Sequence, residues 1–86
     1  MTIEKKLENG NLELKVAGRL DTTTAPQLEA ELKASIEGVT SLVFNFEGLE
    51  YISSAGLRVL LYAQKTMNRQ GSMVIRGANS DVMDVF

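Results

Sequence analysis

The length, composition and charge of the chain set the first limits on what it can be. Its 86 residues are 44% hydrophobic and 23% charged, with a net charge of −2, which is typical of one small soluble domain. This charge argues against direct nucleic-acid binding, and no apolar run is long enough for membrane insertion. Because histidine and cysteine are both absent, disulfides and histidine-activated nucleophiles are excluded and zinc lacks its usual ligands. We expect a cytoplasmic protein with no metal and no cofactor.

Residues 3–17 predict an antiparallel β-hairpin. Within residues 12–16 leucine and valine alternate with charged residues, which is the pattern of a strand with one buried face. Asn9-Gly10 supplies the positive φ angles that a tight hairpin turn requires. The segment 18–21, Gly-Arg-Leu-Asp, is then expected to lead the chain out of the sheet.

A helix is predicted after this segment. Thr24 and Gln27 fit a capping box, and Pro26 lies in the first turn, where its missing N–H costs nothing. Gly38 is the expected end of the helix. Three apolar residues at helical spacing form its predicted buried face, namely Leu28, Leu32 and Ile36.

The second half of the chain again alternates strand and helix. The apolar residues 42–44 suit a central parallel strand covered by helices on at least one face, and a packed loop is expected over residues 46–52. A helix is predicted from about Ser54 to Gln70, followed by a short strand over 72–76 and the start of a third helix near Ser80. The predicted buried stripe of the long helix consists of Leu57, Leu60, Leu61 and Met67.

The predicted order is β-β-α-β-α-β-α. This order indicates one α/β domain over residues 1–86, with a mixed sheet in which the N-terminal antiparallel hairpin joins parallel strands covered by helices. The third helix has barely begun at Phe86, so we expect the C-terminal helix to be truncated.

The junction between the central strand and the long helix carries the candidate functional residues Ser53, Ser54 and Gly56. A helix that starts after a strand places its free N–H groups at the carboxyl edge of the sheet, and Gly56 is predicted to allow another backbone to approach. Three interpretations of the serines are open: a helix N-cap, an anion-binding or phosphoacceptor site, and a nucleophile. The nucleophile lacks a histidine or nearby lysine as base, which argues against an enzyme.

At this junction the sequence resembles the STAS domain family, the fold of bacterial anti-sigma-factor antagonists. The resemblance covers nearly the whole chain. It rests on residues 18–21, on the threonine-rich helix start, and most specifically on residues 51–58, Tyr-Ile-Ser-Ser-Ala-Gly-Leu-Arg. In the family an acidic residue commonly precedes the phosphorylated serine, which is followed by a small residue, glycine and leucine. Aligning the Gly-Leu pair places the phosphoacceptor at Ser54, while Ser53 occupies the acidic position and is a minor candidate.

The resemblance implies a switch without catalysis. The unphosphorylated domain would bind an anti-sigma factor that is also a serine kinase, displacing the sigma factor, and phosphorylation of Ser54 would break the complex. The ATP would belong to the kinase. The expected partner-binding residues are Asp21, Thr22, Thr23, Ser53, Ser54, Gly56 and Arg58.

Other interpretations of these residues are open. Arg58 also fits an ordinary solvated helix residue, and Asp21 with its threonines fits turn and capping chemistry. The alternative function is a STAS scaffold module of a transporter or signalling complex that is never phosphorylated, which the serine in the acidic position favours. A third alternative, implied by the resemblance alone, is weak nucleotide binding at the same edge.

Overall fold

The computed structural model describes residues 1–78 as a mixed sheet with two helices. The elements are β1 (Thr2–Glu8), β2 (Asn11–Leu20), α1 (Ala25–Ser35), β3 (Ser41–Asn45), β4 (Leu49–Ile52), α2 (Ser54–Gln70) and β5 (Ser72–Arg76). The strand order is β1-β2-β3-β5, with β4 paired to β2. Of the pairings in this part of the chain, β1–β2 is antiparallel and the others are parallel. The predicted α/β fold is confirmed, and the helix predicted near Ser80 lies outside the described residues.

The N-terminal hairpin forms as predicted. Asn9 and Gly10 have φ angles of 51° and 79°, as a two-residue type I′ turn requires, and this turn matches the right-handed twist of the strands it joins. Glu8 pairs directly with Asn11 on the other side of the turn. The local turn chemistry therefore sets the register of β1 against β2.

Strand β2 is longer than the sequence indicated. It continues through residues 18–20, and its pairing shifts register between Gly18 and Arg19. Gly18 has a φ of 94°, a value that glycine tolerates at a bulge. The prediction that the chain leaves the sheet at residues 18–20 is therefore wrong, because the bulge redirects the strand without ending it.

The expected loop over residues 46–52 contains the additional strand β4. Leu49 and Ile52 are buried, whereas Glu50 and Tyr51 between them are exposed. This pattern lacks the alternation by which a strand is recognised in a sequence. Strand β4 exists because its backbone pairs with the end of β2, a tertiary contact that the local sequence does not encode.

Both helices cover the same face of the sheet. Leu12, Leu14 and Val16 of β2 are buried in the core with the helices, while Glu13 and Lys15 lie on the opposite face. The predicted face of α1 is confirmed, because Leu28, Leu32 and Ile36 are all buried. Burying each such side chain contributes about 1.5–3 kcal/mol, so this single layer accounts for most of the hydrophobic stabilisation.

Helix α2 has the predicted bounds but a rotated buried face. The Leu61 side chain is 60% exposed and Leu57 is half-buried, so the predicted burial of Leu61 is wrong. The buried residues are Gly56, Val59, Leu60, Ala63 and Met67. Gly56, Leu60, Ala63 and Met67 recur every three or four residues with Val59 at one side of them, so the five residues form one helix face. Leu61, about 100° beyond Leu60 on the other side, falls outside it.

Helix α2 ends at Gly71 as predicted, but the side-chain contacts at the start of α1 and the end of α2 were not predicted. Thr24 is the N-cap of α1 but makes no side-chain cap bond, so the capping box with Gln27 is wrong. The Thr24 hydroxyl donates instead to the carbonyl of Arg19, at 2.8 Å. At the far end of α2, the Gln70 amide donates to two carbonyls of the loop after α1, at 2.8 Å and 2.6 Å.

Candidate functional site

Two segments of the chain meet where β2 and β4 end. Leu20 pairs with Ile52 at the last position of the parallel ladder, and the N–H of Ser53 donates to the Leu20 carbonyl at 2.9 Å. This bond places the start of α2 beside the loop over residues 21–24. The site thus combines the carboxyl ends of two neighbouring strands, as expected for an α/β sheet.

The two serines have different environments. Ser53 is the N-cap of α2, with φ −101° and ψ 176°, and its Oγ accepts a hydrogen bond of 3.4 Å from the Gly56 N–H. Ser54 is the first residue of the helix and is exposed. Its hydroxyl makes no hydrogen bond to any residue within 1–78. The N-cap interpretation therefore fits Ser53 and leaves Ser54 with an accessible hydroxyl.

Gly56 serves the packing inside the domain. It is buried, and a Cβ atom at this position would lie 2.7 Å from Cγ of Leu20 and 2.9 Å from Cγ1 of Ile52. Real Cβ atoms do not approach other carbons this closely. The space beside Gly56 is therefore filled by the protein's own core, which corrects the expectation that it admits another backbone from outside.

Asp21 organises the loop before α1. Its carboxylate accepts hydrogen bonds from the N–H groups of Thr23 and Thr24, at 3.0 Å and 3.1 Å. The Thr24 N–H is the main reason that the pKa of the Asp21 carboxyl lies below its ordinary value; desolvation, the second-largest effect, opposes it, and Thr23, the Thr24 hydroxyl and Arg19 lower the pKa by smaller amounts. Turn and capping chemistry therefore explains Asp21, while Thr22 and Thr23 are exposed.

Arg58 lies on the outside of α2, one turn after Ser54, and is exposed. Together with Thr22 and Ala55 it lines a groove between the first turns of α1 and α2. The structure therefore brings Thr22 and Arg58 to the same place as the serines. Thr23 lies outside this groove and Gly56 is beneath the surface.

Sequence reasoning missed an exposed arginine–tyrosine pair beside this site. The Arg19 guanidinium lies 4.2 Å from the centre of the Tyr51 ring, within the range of a cation–π interaction. The Arg19 Nε is also 3.7 Å from a carboxylate oxygen of Asp21. Arg19 and Tyr51 are cross-strand neighbours of β2 and β4, so no signal could reveal the pair before β4 was known.

The described part of the site offers exposed hydroxyl and guanidinium groups for binding. The Ser54 hydroxyl has no hydrogen-bonded base among residues 1–78, so the described site does not activate it as a nucleophile. In the same part of the chain no group of three or more acidic residues is placed to hold a metal ion. Neither of the two described helices is long and apolar enough to cross a membrane.

The family model described as "STAS domain" matches residues 2–86. The chain belongs to the STAS domain family. Membership agrees with the resemblance noted around residues 51–58.

Relatives of this STAS domain are named as anti-sigma factor antagonists. A Bordetella bronchiseptica protein so named, BtrV, is 41% identical over 71 residues, which cover 80% of this chain and 61% of BtrV. This chain therefore matches less than two thirds of the length of that relative. A Staphylococcus aureus protein named anti-sigma-B factor antagonist is 31% identical over 88 residues, covering 100% of this chain and 82% of the relative.

Solved structures share the fold. SpoIIAA in its unphosphorylated form has a TM-score of 0.84 to this STAS domain at 20% identity, covering 99% of this chain and 81% of that one. The phosphorylated form of Bacillus SpoIIAA has a TM-score of 0.80, also at 20% identity, and covers 99% of this chain and 80% of that one. At this level of identity the likeness concerns the fold.

Proposed function

We propose that this STAS domain is an anti-sigma factor antagonist that binds a kinase-type anti-sigma factor and is released from it by phosphorylation of Ser54. The observation that carries the proposal is that the two serines differ in their hydrogen bonding and exposure. Ser53 caps α2, whereas Ser54 presents an exposed hydroxyl without an internal partner. The names of the relatives support the class of partner, and one structural neighbour is known in a phosphorylated form.

The exposed part of the junction provides the docking surface, which we define as Asp21, Thr22, Thr23, Ser53, Ser54 and Arg58. Most of these side chains are exposed, and Asp21 and Ser53 are partly so. The hydrogen bond from the Ser53 N–H to the Leu20 carbonyl joins the two segments that form the surface. A partner would therefore meet a preformed surface, which reduces the conformational entropy that binding costs.

Phosphorylation of Ser54 would act through charge. A phosphate adds about 1.5–2 negative charges, and the first turn of a helix tolerates anions because its free N–H groups carry partial positive charge. The fold of the STAS domain would therefore persist. A partner packed on the docking surface would instead face a new, strongly hydrated group that it would have to desolvate, and the complex would dissociate.

The first experiment tests the phosphoacceptor. A candidate anti-sigma factor kinase from the source genome is purified and incubated with ATP and the wild type, Ser54→Ala or Ser53→Ala, and intact masses are measured. We expect one added phosphate on the wild type and on Ser53→Ala, and none on Ser54→Ala. Phosphate on Ser54→Ala but not on Ser53→Ala would move the acceptor to Ser53 and contradict the proposal.

The second experiment tests the switch. Isothermal titration calorimetry of the same anti-sigma factor should give binding at least about tenfold weaker, or ~1.4 kcal/mol, for Ser54→Asp than for the wild type. Ser72→Asp is the matched control, because Ser72 is exposed at the start of β5 and the substitution adds the same charge outside the docking surface. Equal affinities for the wild type and Ser54→Asp would contradict the proposed switch.

A scaffold that is never phosphorylated is the second candidate function. It is favoured by Ser53, which stands where the STAS family commonly has an acidic residue. No phosphate on any variant, with the kinase active on another substrate, would support this scaffold of a transporter or signalling complex and reject the switch.

A further inference from the structure

A groove of about 260 Å³ lies between the first turns of α1 and α2. Its apolar lining comes from Ala25 and Val59, which are both buried, and from the exposed Pro26. Ala55, the residue after Ser54, also lines it. The groove therefore opens directly beside the proposed phosphoacceptor.

The two charged residues that line this groove differ in their partners. The Glu29 carboxylate is 3.0 Å from the Lys33 ammonium one turn further along α1, and this contact raises the pKa of Lys33 above its ordinary value. Arg58 has no acidic group within ion-pair distance among residues 1–78. The charge of Glu29 is thus balanced within α1, whereas the guanidinium of Arg58 has no ion-pair partner among residues 1–78.

We propose that this groove receives a segment of the anti-sigma factor that carries a carboxylate next to an apolar side chain. The inference rests on the proposed function and specifies the chemistry of the partner. The apolar side chain packs on Ala25, Pro26 and Val59, and the carboxylate pairs with Arg58. Arginine suits this role because its planar group can hold a carboxylate through two parallel hydrogen bonds.

The position of Arg58 also links the groove to phosphorylation. Ser54 and Arg58 are four positions apart in α2 (i, i+4), so their Cβ atoms are neighbours on the helix surface, roughly 5–6 Å apart. A phosphate on Ser54 is therefore within reach of the same guanidinium. It competes with the partner's carboxylate for Arg58, so phosphorylation removes an attractive contact as well as adding a repulsive one.

The first test compares two charge reversals on α2. Arg58→Glu and Arg69→Glu change the net charge equally, and Arg69 is exposed in the last turn, away from the groove. In calorimetric titration with the anti-sigma factor, we expect binding weakened more than about tenfold by Arg58→Glu. Arg69→Glu should change it less than about threefold. Circular dichroism and urea unfolding establish that both variants are folded.

The outcomes separate this inference from the function on which it rests. If the wild type binds and both variants lose the same affinity, or Arg58→Glu loses none, the groove assignment is overturned. The proposed function is then left intact. Absence of wild-type binding overturns both.

The second test needs no partner protein. Phosphoserine is installed at position 54 by genetic code expansion, and its phosphate is titrated by ³¹P NMR in the wild-type background, in Arg58→Gln and in Arg69→Gln. Because a nearby cation favours the doubly charged phosphate, we expect the phosphate pKa to be higher in Arg58→Gln than in the other two. The same pKa in all three proteins would overturn the claim that Arg58 serves both anions.

Discussion

Replacing Gly56 by alanine tests the packing between α2 and the strands beneath it. In a helix interior this change adds about 1 kcal/mol of stability, but Gly56 lies in the first turn of α2, where the gain is smaller. The new methyl group would lie 2.7 Å from Cγ of Leu20 and 2.9 Å from Cγ1 of Ile52. Both atoms belong to buried side chains, and such overpacking costs about 1–3 kcal/mol.

The clash should therefore exceed the gain in helix propensity. We expect Gly56→Ala to lower the free energy of unfolding by about 1–2 kcal/mol. A loss of 1 kcal/mol corresponds to about 4–8 °C in Tm for a domain of this size. Urea unfolding followed by circular dichroism measures the change.

A control variant isolates the helix-propensity effect. Ala30 is exposed in the middle of α1, so Ala30→Gly should cost about 1 kcal/mol through propensity alone. The sum of the two losses then sets an upper limit on the cost of the clash, because the propensity gain in the first turn of α2 is smaller than in the middle of α1. A Gly56→Ala protein as stable as the wild type, or more stable, would refute this account of why the site holds a glycine.

Variants in the core, in the loop before α1 and at the end of α2 test three more contacts. Leu60→Ala should cost about 2–5 kcal/mol in unfolding free energy. Leu61→Ala should stay within about 0.5 kcal/mol of the wild type because the Leu61 side chain is exposed. Similar losses for the two variants in urea unfolding would contradict the rotated buried face of α2. Because hydrogen bonds from the loop lower the pKa of Asp21, they stabilise the fold above the ordinary carboxyl pKa of about 4 and are lost as the pH falls through the lower folded value. The stability difference between the wild type and Asp21→Asn should therefore shrink on acidification below about pH 4, and a constant difference in unfolding curves measured from pH 6 to pH 2.5 would argue against this role. Gln70→Ala removes the side-chain donor of the partly buried Val39 carbonyl, while the Ile36 carbonyl keeps the Val39 N–H, and it should cost about 1–3 kcal/mol, measured against Asn68→Ala as an exposed control on the same helix.

Local chemistry made much of the fold predictable. Asn9-Gly10 specifies its turn through φ angles that few other residues adopt, and both ends of α2 carry signals within a few residues, a serine cap and a terminal glycine. Strand β4 could not be predicted in this way. Its pairing with the end of β2 depends on the register shift at Gly18. A tertiary contact of this kind produces no periodic pattern in the four residues of β4.

The candidate site was predictable in position but not in detail. The sequence located the junction around Ser53 and Ser54 and left three interpretations of the pair open. Which serine caps the helix depends on the residue at which helical φ and ψ angles begin, and a shift of one residue exchanges their roles. The groove beside Arg58 and the Arg19–Tyr51 pair arise between elements distant in sequence, so they could be found only from the structure.

The length of β2 offers a practical route to observing these events. The strand has ten residues and spans roughly 30 Å at about 3.3 Å per residue, with the hairpin turn at one end and the docking surface at the other. Since the chain contains no cysteine, a cysteine introduced at the exposed Glu8 would be its single thiol. A fluorophore attached there would report the tumbling rate of the domain, and hence the capture and release of a partner, from the end of the molecule farthest from the contact.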